Sequence, residues 1–218
     1  MITFEQIKKD KAIKEYISKA AQSLDAMGYT EHGFTHARRV AGTAGYILEQ
    51  LGFSERECEL AMIAGYMHDI GNLINRNDHA QSGAMMAFRI LDKMGMAPDE
   101  LATVVTAIGN HDEHTAVPVN AVAAALILAD KTDVRRSRVR CEAAAFDIHD
   151  RVNYSVKKSE VVIDTEKKRI DLILTTDKKS FSAVEYFEIF MERMLLCRRA
   201  AEKLGMKFYT YFDDQLLA

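Results

Sequence analysis

A chain of 218 residues, 48% of them hydrophobic, can bury one sizeable core with or without a small appendage. Its 29 Lys and Arg against 32 Asp and Glu leave a net charge of −3, which argues against a nucleic-acid or polybasic membrane binder. The longest apolar stretch, Ala121–Ala129, is too short to span a bilayer, and no apolar run follows the N-terminal charges, so neither a membrane span nor a signal peptide is expected. Cys58, Cys141 and Cys197 form no paired motif, which reads as a reduced, cytoplasmic protein whose cysteines are small buried hydrophobes.

Two prolines in the whole chain, with plentiful Ala, Met, Glu and Lys, favour helix. Ile13, Ile17, Ala20, Ala21, Leu24 and Met27 share one helical face that Gly28 closes, and Tyr29–Phe34 is a short connection. A second helix spans about Thr35–Leu51, with His36 in its first turn and Val40, Ala44, Ile47 and Leu51 inward. Ser54 and Glu57 form a capping-box pattern for a third helix. There Leu60, Ile63, Ala64 and Met67 recur at helical spacing, His68 and Asp69 come last, and Gly71 terminates. Asn72–Asp78 reads as loop, with Asp78 capping a helix on which His79, Gly83, Met86 and Ile90 share a face. After a break at Gly95–Asp99, Leu101, Val104, Val105 and Ile108 mark another helix, with His111 just beyond it. From Val119, the run Val122, Ala125, Leu126 and Ala129 makes a deeply buried helix that contains Asp130. Ser137–Tyr154 reads as helix. The period then changes: Val161–Ile163 and Ile170–Leu174 read as a β-hairpin, Ser182 and Glu185 cap a helix to Leu204, and Met206–Phe212 alternates as a final strand. The expected fold is mainly α: an all-helical domain over residues 1–155 and a small α+β appendage over 156–218, packed on it, with a three-stranded sheet and one helix.

Five helices each place a His or Asp on their buried side near an end: His36, the pair His68–Asp69, His79, His111 and Asp130. One histidine on an apolar face is ordinarily a satisfied core residue. Five such coincidences point to a shared partner, because imidazole and carboxylate buried together are costly without one. Mixed carboxylate and imidazole suit Mn, Fe, Co, Ni or Zn, and Mg with more carboxylate and water. Contributions from several helices would put the site in the core of a bundle.

His36, then His68-Asp69, then Asp130 resemble the H…HD…D signature of the HD-domain metal-dependent phosphohydrolases. The neighbouring residues agree: His36-Ala37-Arg38-Arg39-Val40, His68-Asp69-Ile70-Gly71 and Leu128-Ala129-Asp130-Lys131 are similar to the family's three segments, over roughly residues 30–135. The resemblance implies an HD-domain helical bundle holding a divalent ion on His36, His68, Asp69 and Asp130. His79 and His111 resemble the extra histidines of members with two metals, in which the HD aspartate, here Asp69, bridges the ions. The pattern is most similar to HD-type enzymes that split symmetrical dinucleoside tetraphosphates and to cyclic-di-nucleotide phosphodiesterases. The Gly-Tyr-Pro segment of the latter is replaced here by Thr115-Ala116-Val117-Pro118. Dinuclear relatives often carry lysine three positions after the HD aspartate, where this chain has Asn72, so Arg76, Lys131, Arg135 or Arg138 would supply the positive charge.

The activity so implied is hydrolysis of a phosphate ester or phosphoanhydride, of a nucleotide in the first instance, by metal-activated water. Asp69 would orient the nucleophile and Lys131 would balance phosphate charge. Asn72, Arg76, Lys131, Arg135, Arg138 and His114 would contact substrate. Two further readings of the same ligand set stay open: an HD-fold di-iron oxygenase and a non-catalytic nucleotide-binding module. The expected partners are a small phosphorylated substrate and a second copy of the chain. His32 reads as a loop residue behind the ligands, His149 as a surface or capping residue, and the basic run from Arg135 to Arg140 as a solvated turn. The Met and aromatic residues between Tyr186 and Met194 read as core or a dimer surface.

Overall fold

The structure is a computed structural model that describes residues 1–142, 145–213 and 215–216. Its described helices are α1 (Phe4–Lys9), α2 (Lys11–Ala26), α3 (Phe34–Gln50), α4 (Glu55–Met67), α5 (His79–Lys93), α6 (Pro98–Gly109), α7 (Ala121–Lys131), α8 (Ile148–Ser155) and α9 (Ala183–Lys203). Strands β1 (Val156–Asp164), β2 (Arg169–Thr176), β3 (Lys207–Phe212) and β4 (Gln215–Leu216) form one sheet in the order β1-β2-β3-β4. The architecture is mainly α with a small C-terminal α+β part. None of the described helices is long and apolar enough to cross a membrane.

Helix α7 is the hub. Every residue from Val122 to Ala129 is buried, and the helix packs against α3, α4, α6 and α9. Its many alanines let neighbouring backbones approach closely, which brings the ends of several helices to its C-terminal turn. The hairpin β1–β2 is antiparallel as expected; β2 and β3 then pair in parallel, with α9 as the crossover between them. Ile170, Leu172 and Leu174 are buried on one face of β2, and Tyr186, Phe190 and Met194 of α9 join the same core cluster. The sheet gains a short fourth strand, β4, antiparallel to β3, beyond the three expected.

Several local expectations change. The helix carrying His68 and Asp69 ends at Met67, and a 3-10 turn over Ile70–Leu73 replaces its last turn and the start of the expected loop. Gly71 is not needed for a left-handed terminator. It is needed for space: a Cβ there would lie 2.0 Å from the His79 carbonyl oxygen and 2.5 Å from the Gly83 amide. Asp78 does not cap α5; its own backbone is left-handed, with φ 57°, and no side-chain capping bond forms. Thr3 caps an additional helix, α1, that the sequence pattern did not show. The helix expected over 137–154 is reduced to a 3-10 turn at Arg136–Arg138 and to α8, while its residues 143–144 lie outside the described ones. Arg135 and Arg138 turn inward to distant Glu31 as well as to nearby Asp133, and Asp147 starts α8 by accepting the Asp150 amide. Cys141 is exposed, its thiol 3.1 Å from an Asp150 carboxylate oxygen, so only Cys197 is a fully buried hydrophobe.

Gly71→Ala is expected to lower stability by about 3 kcal/mol, since backbone atoms rather than flexible side chains meet the new methyl. The midpoint of urea unfolding, at unchanged slope, measures this.

Candidate metal centre

Gly33, at the N-cap of α3, offers no side chain for capping. Glu31 takes that role: one carboxylate oxygen accepts the Gly33 amide at 2.8 Å and the His36 amide at 3.4 Å. This fixes the turn that presents His36. At the end of α4 the backbone passes from α to 3-10, and His68 Nε2 and Asp69 Oδ2 converge to 3.2 Å although they are neighbours in sequence. Asp130 comes from the last turn of α7, His79 from the first turn of α5, and His111 from just beyond α6.

Each histidine is oriented by its far nitrogen. Nδ1 of His68 donates to the Gly65 carbonyl at 2.8 Å, Nδ1 of His79 to the Arg76 carbonyl at 3.0 Å, and Nδ1 of His111 to the Ile108 carbonyl at 2.6 Å. Nδ1 of His36 donates to Asp133 Oδ2 at 2.8 Å. A carbonyl can only accept, so these bonds hold the ring proton on Nδ1 and leave the Nε2 lone pair facing inward. There the lone pairs meet carboxylates. Asp130 Oδ1 lies 3.2 Å from His36 Nε2 and 3.7 Å from His68 Nε2. Asp69 faces two ways: Oδ2 is 3.2 Å from His68 and 3.7 Å from His36, while Oδ1 is 3.5 Å from His79 and 3.9 Å from His111.

A lone pair opposite a carboxylate oxygen is repulsive unless a cation or proton lies between them. Nε2 of His36 and of His68 are buried with no hydrogen-bond partner. His36, His68 and Asp130 present ligand atoms within 4.8 Å of one another, as do His68, Asp69 and His111. This donor set fits a divalent cation. Without one, a proton is drawn in instead: burial opposes charging His68, yet Asp69 and Asp130 lift it to about 10. Burial likewise opposes the charged forms of Asp69 and Asp130, but His68 beside the first and Lys131 beside the second hold both well below the usual carboxylate range. Burial and the His68 charge push His111 well down, and burial lowers His79, so both are neutral and able to ligate. The rings form an edge-to-face row, with centroids 5.2 Å apart for His36–His68, 4.9 Å for His68–His111 and 5.1 Å for His79–His111.

The centre opens into a pocket of about 820 Å³. Of the residues expected to meet substrate, Arg76, Lys131, Arg138 and His114 line it. Asn72 and Arg135 are not among its lining residues. Asn72 is buried and its amide donates to Asp69 Oδ1 at 2.9 Å, so it steadies a candidate ligand. The Arg135 guanidinium is used up by Asp133 at 2.8 Å, Ser137 at 2.6 Å and Glu31 at 3.3 Å. The basic run is therefore a partly buried ion-pair network around Asp133, not a solvated turn. His32 lies behind His36 at 5.4 Å between centroids and also reaches the pocket wall, while the exposed His149 lines its rim.

Sequence reasoning missed Asp133, Asp112, Glu113, Phe190 and Arg193. Asp133 receives His36, Arg39 and Arg135, and its position one turn after Asp130 was the available signal. Asp112, next to His111, lies 3.9 Å from His79 Nε2. Glu113 joins Arg193 of α9 at 2.7 Å to Lys131 at 3.3 Å, and Lys131 reaches Asp130 at 2.7 Å. Phe190 carries the Arg193 guanidinium at 4.3 Å from its ring centre, so α9 supplies a pocket wall as well as core.

The HD domain model matches residues 33–151, more than half of the chain and every ligand candidate in it. The chain belongs to the HD domain family. An uncharacterized protein of Methanocaldococcus jannaschii is 26% identical over 207 residues, covering 84% of this chain and 80% of its own. The crystal structure of a predicted HD superfamily hydrolase from an uncultured Thermotogales bacterium is 25% identical, covers 62% of this chain and 75% of its own, and superposes with a TM-score of 0.47. The HD domain match ends at Arg151, before β1, so the α9 wall of the pocket lies outside the matched stretch.

Two outcomes are expected. Asp133→Asn removes the charge behind His36 and should weaken divalent-ion affinity about 10–100-fold, read by metal titration of protein shown to be folded by circular dichroism. Because ion-free His68 is raised to about 10, it is protonated at neutral pH and an entering ion must displace that proton. Affinity should therefore rise with pH, by about tenfold per unit, and calorimetry in buffers of different ionisation heat should register proton release.

Proposed function

We propose that this HD domain protein is a metal-dependent hydrolase of phosphate esters or phosphoanhydrides, with a nucleotide as the substrate class. The reading is carried by one juxtaposition: a centre of inward Nε2 atoms and carboxylates forms the floor of a pocket whose walls carry Arg76, Lys131, Arg138 and Arg193. A divalent ion held by His36, His68, Asp69 and Asp130, with His79 and His111 available to a second, would acidify a water and neutralise phosphoryl oxygens. The chain's own residues do the rest. Asp69, steadied by Asn72, presents one oxygen to each pair of histidines and is placed to orient the nucleophile. Lys131 is buried, and Asp130 and Glu113 raise its pKa despite burial, so it stays a cation beside Asp130. Arg76 and Arg193, each over an aromatic ring, line the cavity and would orient an anionic substrate. The cavity volume of about 820 Å³ falls in the size class of small-molecule sites.

The test combines elemental analysis of the purified protein with a screen of nucleotide and other phosphate-ester substrates across Mn, Fe, Co, Ni, Mg and Zn. Bound ion and turnover support the proposal; neither, across the series, overturns it. A mixed-valent iron pair with oxygen uptake would replace it with oxygenase chemistry. Asp69→Ala is expected to lose both ion and activity while the helical circular-dichroism spectrum survives, and unchanged turnover would remove Asp69 from the mechanism.

A further inference from the structure

The two halves of the centre differ in whether a protein cation stands at the inward Nε2 atoms. In one half, Nε2 of His36 and His68 are buried and have no hydrogen-bond partner. In the other, Nε2 of His79 has one: Nη1 of Arg76 lies 3.4 Å from it. His79 holds its proton on Nδ1, against the Arg76 carbonyl, so Nε2 has a single lone pair and the guanidinium is aimed at it. A guanidinium and a metal ion cannot share that lone pair, and two cations there would repel.

In this same position Arg76 also borders the cavity. Its guanidinium lies 5.5 Å from the Tyr29 ring centre, and Tyr29 and Arg76 both line the pocket. The same Nη1 is 3.4 Å from Asn72 Oδ1, and the Asn72 amide in turn holds Asp69. The Arg76 cation thus stands at the border between His79 and the cavity.

We propose that Arg76 is a cationic stand-in for the second metal ion at His79, and that an anionic phosphate in the pocket draws it away and lets that ion load. This role presupposes the metal centre proposed above. It makes phosphate binding and second-ion binding mutually reinforcing, because each favours the arrangement with Arg76 turned toward the cavity and His79 free. The coupling is reciprocal: the factor by which phosphate tightens the second ion equals the factor by which that ion tightens phosphate. Among the described residues Arg76 makes no hydrogen bond to His36, His68 or Asp130, so it does not compete for an ion there.

The experiment is a Mn(II) titration of the intact protein, with and without inorganic phosphate, read by calorimetric stoichiometry and by the spin-coupled signal of a Mn pair. Wild type is expected to bind one ion alone and a second about tenfold or more tightly once phosphate is present. Arg76→Ala should bind two ions without phosphate and lose most of the phosphate effect; Arg76→Lys, which keeps the charge, should retain part of it. Two ions in phosphate-free wild type with similar affinities would overturn the role of Arg76, as would a phosphate effect undiminished in Arg76→Ala, which would mean phosphate acts by bridging the ions directly. No ion in any variant would overturn the metal reading itself, and the role of Arg76 with it.

Discussion

The centre depends on a constraint that faces away from it: the hydrogen bond on the outer nitrogen of each imidazole. In His68, His79 and His111 the acceptor is the carbonyl three residues earlier. For His68 and His111 that carbonyl belongs to the last turn of a helix, where the backbone leaves acceptors without amide partners. Helix ends thus supply ready-made acceptors, and a histidine placed just after one has its tautomer and its direction set locally. This is a physical reason for finding the ligands at helix ends. His36, at the start of a helix, has no such carbonyl and takes a buried carboxylate, Asp133, in its place.

Charge is then balanced outward in layers. Asp69 and Asp130 meet the imidazoles, Lys131 meets Asp130, Glu113 meets Lys131, and Arg193 meets Glu113. On the other side Asp133 draws in Arg39 and Arg135. Within this network each charge has an opposite neighbour, which offsets the cost of burying it. The inner imidazoles are the exception: Nε2 of His36 and of His68 face carboxylate oxygens with no hydrogen-bond partner. The C-terminal part reaches this network through α9, so the sheet holds in place a helix that walls the pocket.

The helical half was readable because long amphipathic periods and capping residues are local signals. Ser54 and Glu57 do form a reciprocal cap, and the β1–β2 hairpin lies where the period changed. The candidate ligands were readable because a polar residue on an apolar face is conspicuous. What failed was governed by how the chain turns and by contacts that the helical period does not show. Arg135 and Arg138 look like a solvated helix or turn until Asp133 and Glu31 are seen beside them. Arg193 follows Phe190 by one turn on a helix that reads as core, and nothing nearby shows that the edge of that face meets a cavity. Asn72 looked like a lost phosphate contact because its neighbour Asp69, whose carboxylate it holds, is reached only through the 3-10 turn.

The row of imidazoles has a consequence for how this centre can change over generations. Each ring touches the next edge to face, and Asp69 is shared by four of them. Replacing one ring alters the packing and the charge felt by its neighbours, so the effects of substitutions here will not add. A second change that is tolerable alone can be ruinous after the first, or can compensate for it. Routes between alternative sets of these residues are therefore few and depend on order.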